Sequence, residues 1–350
     1  MIQTTAQEPK LFIGIDIHKK SWKVHFRTDL FNGRSLTMPP RADELKKYVA
    51  KHFSDHQVYS AYEAGCCGYA AHRSFKTYGW NSIVVNPADI PKAQKQASQK
   101  TDKIDAVNIS RQLRDGQLRG IYIPNKEQEQ LRSLFRRRDE LVKDLRRIKS
   151  KIKSQLLYFG IDLPAEYDNS YWSKDMVAWI ESQTWQYTTG WATTSSRINY
   201  YKYVESEMRA VSVLIRAYCR KHYKKDYYLM RSVPGVGPIV AAGILSELGD
   251  IRRFNAKEFA GYIGLVPGIY QSGENTRTSG MTFRAHRLMR SYMIEASWQA
   301  IRFDPVMQTY YRKHYGKDVK KIIVKVAHKL ANRILAVVKS GVEYQIGIVA

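Results

Sequence analysis

The sequence predicts an α/β domain followed by a long helical middle and a mainly helical C-terminal third. Three observations predict it. A nearly all-apolar run at residues 11–17 opens a succession of strand and helix periods that lasts to about residue 124. No Gly or Pro interrupts the helical pattern between residues 126 and 159. After residue 230, helical runs are broken by glycine-containing turns. The domain limits expected from these changes are 1–124, 125–230 and 231–350.

Residues 11–17 read as a central strand covered on both faces. Trp22, Val24 and Phe26 then alternate with Lys23, His25 and Arg27, the pattern of a second, antiparallel strand with one wet face. Residues 33–38 supply a third strand. Leu45, Tyr48, Val49 and Phe53 recur at helical spacing, and residues 57–62 form a strand leading into Glu63. A helix over 69–78 and a buried strand over 82–85 follow, closed by Asn86 and Pro87. The Lys/Gln-rich stretch 92–100 has few apolar anchors and reads as a mobile loop. Thr101 can cap a helix reaching Leu113 through Ile104, Val107 and Ile109. A three-strand meander followed by alternating helix and strand is the order of a ribonuclease H-like domain.

In the middle, Leu141, Leu145, Ile148 and Ile152 keep coiled-coil spacing. The rest of that helix is basic. Arg136, Arg137, Arg146, Arg147 and Lys151 suit it to a nucleic-acid backbone. Pro164 marks a break, and an aromatic segment from Tyr171 to Trp191 reads as a packing insertion. A second long helix over about 195–223 carries Val204, Met208, Val211 and Ile215. It can pair with the first as an antiparallel hairpin or pair with a second subunit. In the last third, a glycine turn at 233–238 sits between helical runs, with a helix over 257–263 and a loop over 268–280.

Composition narrows the function. Hydrophobic residues make up 44% and charged residues 25% of the 350, a folded globular balance. Lys and Arg number 57 against 32 Asp and Glu, a formal charge of +25 that points to a polyanion partner. No apolar run reaches the length of a membrane span, and the polar start is unlike a signal peptide. Cys66, Cys67 and Cys219 lack the spacing of a zinc site or a disulfide framework. A cytoplasmic protein with no structural metal fits that usage.

Four separated carboxylates carry the chemistry. Asp16 ends a buried strand, where an ionised Asp costs several kcal/mol unless a cation or metal pairs with it. Glu63 also follows a strand. Asp102 and Asp105 stand three apart at the start of a helix. Strand ends and a helix that supply oxygen ligands suit Mg²⁺, and phosphodiester chemistry often uses such ions. Gly14 allows either a close phosphate approach or a bulge. His18 reads as a solvated turn residue. The turn holding Gly235 and Gly237 resembles a helix-hairpin-helix, whose amides can hold a DNA phosphate, although a tight inter-helix turn has the same sequence. Ser272, flanked by Gly273 and followed by Arg277, Arg284 and Arg287, can serve as a nucleophile with arginines on the phosphate. Ser279 beside Gly280 competes with it.

These motifs together resemble the DEDD-type insertion-sequence transposases, which include pilin-gene invertases and members guided by a bridge RNA. The resemblance rests on Gly14-Ile15-Asp16, Tyr62-Glu63-Ala64-Gly65, Asn86-Pro87 and 101–106, then Pro234-Gly235-Val236-Gly237, Gly264-Leu265-Val266-Pro267 and Ser272-Gly273. It spans nearly the whole chain. It implies a Holliday-junction resolvase-like N-terminal domain, with Asp16, Glu63, Asp102 and Asp105 as the Mg²⁺-binding quartet. It also implies that Ser272 becomes covalently joined to DNA. The partners it implies are donor and target DNA, a noncoding bridge RNA, and further subunits of a homotetramer. The basic, Gly/Asn-containing stretch of many relatives is replaced here by residues 282–287. A metal-dependent junction nuclease and a non-catalytic nucleic-acid-binding scaffold are the competing readings.

Overall fold

The computed structural model describes residues 8–90, 102–272, 275–282 and 284–347. The loop expected at 92–100 and the Thr101 cap lie outside the described residues. The chain forms two compact units, Met1–Ile123 and Pro124–Ala350.

The first unit is a five-stranded mixed sheet. Its strands are β1 (Lys10–Ile17), β2 (Trp22–Thr28), β3 (Asn32–Met38), β4 (Gln57–Glu63) and β5 (Asn81–Val85), ordered β3-β2-β1-β4-β5. The first three pair antiparallel, whereas β4 and β5 run parallel to β1. One face is covered by α1 (Ala42–His52) and α2 (Ala70–Thr77), where Leu11, Ile13, Ile15, Val24, Leu45 and Phe75 share a core. The other face is covered by α3 (Asp102–Arg114), where Ala61, Val85 and Ile109 are buried together. Both faces of β1 are therefore dry, as its apolar run predicts.

The wet face expected for β2 is covered as well, because α3 packs on β1 and β2 alike. His25 and Arg27 are buried there. His25 Nδ1 lies 2.9 Å from Ser35 Oγ and Nε2 lies 3.1 Å from Asn32 Oδ1, so its ring is satisfied from β3.

Gly14 has neither of its expected roles. A Cβ on it would lie 2.1 Å from the Ala106 carbonyl oxygen and 2.5 Å from the Ser110 amide nitrogen. The missing side chain lets α3 rest directly on the backbone of β1. Gly14→Ala is expected to lower stability by about 1–3 kcal/mol through overpacking against backbone. Thermal denaturation of the variant checks this, and an unchanged melting temperature would contradict the close approach.

The second unit begins with α4 (Lys126–Tyr158), capped by Asn125, whose Oδ1 accepts from the Gln128 amide at 2.7 Å. It pairs with α6 (Thr188–His222), which begins several residues before the expected start near 195. Three bonds fix the direction: Gln155 donates to Thr194 at 3.0 Å, Arg138 to Ser212 at 2.9 Å, and Tyr218 to Glu127 at 3.0 Å. The two long helices thus form an antiparallel hairpin within one chain, sealed by Leu141, Leu145, Ile148, Ile152, Val211 and Ile215. Between them lies α5 (Lys174–Glu181). Trp172, Met176 and Ile180 pack into the seam, and a Cβ on Gly190 would lie 2.5 Å from the Trp185 ring. These contacts give much of the aromatic segment a packing role.

The same core continues into the rest of the unit. After α7 (Lys224–Ser232) and α8 (Pro238–Gly243), a π-helical segment covers Ile244–Leu248, followed by α9 (Ala256–Ile263). The loop expected over 268–280 is instead a hairpin of β6 (Pro267–Ser272) and β7 (Asn275–Met281). Three helices close the unit: α10 (Arg287–Phe303), α11 (Pro305–Arg312) and α12 (Val319–Ser340). From Ile322 to Val338, α12 is a nearly continuous buried stripe against α7, α9, α10 and α11.

Candidate active site

The first candidate site lies at the C-terminal edge of the parallel strands. Ile15 of β1 is in register with Tyr62 of β4, so Asp16 and Glu63 follow side by side on neighbouring strands. Strand alternation puts both on the α3 face, with Gly14 and Ala61, and opposite to Ile15 and Tyr62.

The direction of α3 follows from two contacts. Gly14 meets Ala106 and Ser110, whereas the charges near Arg27 come from Arg111 and Arg114. Arg27 stands beside Phe12 in the first half of β1. The helix therefore runs antiparallel to β1, and its first turn lies toward Asp16 and Glu63. Asp105 is half-buried on that turn, four residues before the buried Ile109. Asp102 opens the helix, and its side chain lies outside the described residues.

Asp16, Glu63 and Asp105 thus converge on one sheet edge. His18 is not simply a solvated turn residue, because its Nε2 lies 3.1 Å from Asp16 Oδ2. Among the described residues, no group of three His, Cys, Asp or Glu side chains closes into a metal cage. The donors that are placed are carboxylate oxygens, the ligand type a hard divalent cation takes.

The second candidate site is on the other unit. Ser272 is the last residue of β6, paired with Asn275 across a two-residue connection. It ends a strand rather than lying in a loop. Ser279 lies inside β7. Arg277 is paired with Tyr270 within the hairpin, while Arg284 and Arg287 are exposed just after it. The foot of the hairpin is fixed by Arg290, which donates to the carbonyls of Gly264 and Thr282 at 3.4 and 3.5 Å.

Sequence reasoning missed a buried charge beneath this region. Glu247 is 2% exposed and lies on the π-helical segment. Arg136 grips it with two bonds of 2.8 and 2.9 Å, and Arg132 approaches to 3.5 Å. His286 Nδ1 accepts from the Met289 amide at the start of α10, which leaves Nε2 to donate to Glu247 at 3.1 Å. Burial pushes the Glu247 carboxyl up, but the His286 hydrogen bond and Arg136 together outweigh it and hold the group below its ordinary range. The only sequence signal was a Glu inside an apolar helical run.

The proposed nucleic-acid residues fare unevenly. Arg136 has its guanidinium on Glu247. Arg137 and Arg147 are exposed, and among the described residues they pair with the near neighbours Glu140 and Asp144 at 3.3 and 3.2 Å. Arg146 and Lys151 are exposed on the same helix. Gly235 has φ +91, and a Cβ on it would lie 2.3 Å from the Ala296 carbonyl of α10. Its glycine is explained by that contact and by its dihedral. The turn also uses its own amides: Val236 donates to Val233 and Gly237 to Gly235, at 3.0 and 3.2 Å. Gly235 is thus accounted for by an inter-helix turn, whereas a Cβ built on Gly237 would meet nothing within 4 Å.

Comparison with known protein families gives two matches, in order along the chain. Residues 13–160 match the DEDD transposase domain of IS110 type, and residues 227–312 match the Transposase IS116/IS110/IS902 family. The chain belongs to this transposase family. Related proteins agree. The protein y4qE of Sinorhizobium fredii, named as a transposase, is 28% identical over 83% of this chain and 70% of its own length. The transposase for insertion sequence element IS1533 of Leptospira borgpetersenii is 25% identical over 83% of this chain and 85% of its own. The transposase for IS1111A of Coxiella burnetii is 24% identical over 67% and 64%. The transposase is thus an enzyme acting on DNA. Its DEDD domain, matched across the segment that holds Asp16, Glu63, Asp102 and Asp105, implies dependence on a divalent metal. No helix among the described residues is long and apolar enough to cross a membrane.

Proposed function

We propose that this transposase moves an insertion sequence by Mg²⁺-dependent cutting and rejoining of DNA through Ser272, guided by a noncoding bridge RNA. The observation that carries the reading is the convergence of Asp16, Glu63 and Asp105 on one sheet edge, with the opening turn of α3 brought there by the contact at Gly14. Asp16, Glu63, Asp102 and Asp105 would hold Mg²⁺, which supplies charge stabilisation for a phosphodiester under attack.

In the serine step, the Ser272 oxygen forms a bond to phosphorus while the bond to the leaving strand oxygen breaks. The hydroxyl proton passes to that oxygen through solvent or a carboxylate. Attack by a new strand end reverses the step and restores the hydroxyl. Exposed Arg284 and Arg287 bind the phosphate near the hairpin, and Arg137, Arg146, Arg147 and Lys151 of α4 bind nucleic-acid backbone. We further propose a homotetramer in the cytoplasm, in which one subunit's carboxylates work beside another's serine. Free Cys66, Cys67 and Cys219 suit that reducing compartment.

The test is strand exchange with the purified protein, RNA from its locus and Mg²⁺, on plasmids bearing element ends. Ser272→Ala is expected to abolish exchange and any covalent protein–DNA adduct. Wild-type recombination by both Ser272→Ala and Asp16→Ala would sink the proposal. A junction nuclease using activated water would need the carboxylates and leave Ser272→Ala active.

A further inference from the structure

At the far end of α3 from the carboxylates, three guanidinium groups gather. Arg27 lies on the sheet face beneath the helix and is only 6% exposed. A guanidinium removed from water needs acceptors. Its Nε is buried without a hydrogen-bond partner among the described residues. The charges around it are mostly of its own sign. Arg111 and Arg114 stand on the last turn of α3, and the nearby carboxylate, Asp115, already accepts from Arg114 at 2.9 Å. Burial, then Arg114 and Arg111, draws the Arg27 guanidinium below its ordinary pKa. Arg111 is exposed and uses one donor on Asn108 at 2.8 Å. The arrangement is unfavourable in the free protein and becomes favourable once a multivalent oxyanion sits among the three forks.

We propose that Arg27, Arg111 and Arg114 form a binding site for a backbone phosphate of the DNA on which the carboxylate edge acts. Position supports DNA as the source of the phosphate. Arg27 is in register beside Phe12, four residues before Asp16 on β1. That separation is on the order of 13 Å along the strand. It spans about four steps of one DNA strand at 3.4 Å each. A single DNA segment lying along α3 can therefore meet both ends, and the arginine end would set how far it extends past the cut. The inference rests on the proposed reading of the carboxylate edge as the place where DNA is cut, and it is independent of the serine step.

The experiment measures binding of a random-sequence duplex oligonucleotide by fluorescence anisotropy across a salt series. It compares the full-length protein with Arg27→Gln and with the Arg111→Gln/Arg114→Gln pair. Each lost phosphate contact should reduce the slope of log affinity against log salt by about one, and affinity should fall roughly tenfold or more. Arg27→Gln should also melt no lower than wild type without DNA, since it relieves repulsion. A purely structural arginine predicts the reverse: a lower melting temperature with the salt slope unchanged. That result overturns the proposal. So does wild-type DNA binding by the exposed double variant, which decides the matter if Arg27→Gln fails to fold. Two further arms separate the sources. Loss of single-stranded RNA binding with duplex binding intact would assign the site to RNA instead. Tight binding of inorganic phosphate that leaves DNA affinity unchanged would make it a free-anion site. A failure of the serine chemistry would leave the salt slopes as they are.

Discussion

Asp16→Asn is expected to reduce DNA strand cleavage by about 10²–10³-fold or more while the protein stays folded. The estimate follows from the several kcal/mol of transition-state charge stabilisation that a carboxylate-held cation supplies, at 1.36 kcal/mol per tenfold in rate. Asp16 and Glu63 are neighbours across two parallel strands, on the same face, so two like charges share one sheet edge. Without a cation that closeness is unfavourable, and neutralising one member should change stability by less than about 1 kcal/mol. His18, bonded to Asp16 Oδ2, can bond the amide oxygen in the same place. The prediction is therefore a separation of the two readouts: cleavage of supercoiled plasmid collapses, and the melting curve barely moves. Glu63→Gln and Asp105→Asn should behave alike. Were Asp16→Asn to cut DNA at the wild-type rate, the sheet edge would not be the active site.

The sequence carried the outline of this arrangement because two periods were readable. The apolar run of β1, the alternation in β2 and the four-residue steps of α4 each reflect one element and its immediate neighbours. Asp16 stood out for a related reason, as a charge at the end of a strand whose apolar run reads as buried on both faces. What could not be read depends on residues distant in sequence. The outer face of β2 looked wet because α3, which covers it, arrives nearly eighty residues later. Gly14 looked like a bulge or a phosphate contact because nothing local reveals that Ala106 and Ser110 rest on it.

The serine hairpin was read as a loop for another reason. Its strands, 267–272 and 275–281, are polar and glycine-containing, and they are defined by pairing with each other. The helical hairpin and the C-terminal helices share one buried core, so the change in composition near residue 230 does not mark a break in packing. Glu247 is the extreme case. Its partners Arg136 and His286 lie 111 and 39 residues away, and only the fold brings them together.

Glu247→Ala should destabilise the second unit by about 3 kcal/mol, the lower end of what breaking a buried ion pair costs. The carboxylate is fully enclosed and takes two bonds from Arg136 and one from His286, so its removal leaves three donor atoms aimed at an empty space. Arg136 is about half exposed and can recover some water, which keeps the cost from reaching the upper end. For a unit of this size, the shift corresponds to a melting temperature roughly 6–12 °C lower. The pH dependence carries a sign. The folded carboxyl titrates below its ordinary value of 4.5, so its contribution is fully present above that pH. The contribution is lost as pH falls through the lowered folded value. The stability gap between wild type and Glu247→Gln should therefore be constant near neutrality and narrow in acid. Urea denaturation of both proteins across pH 3–7 measures it. A gap that widens in acid, or a Glu247→Ala protein as stable as wild type, would show that the Arg136–Glu247–His286 contact does not tie α4 to the start of α10.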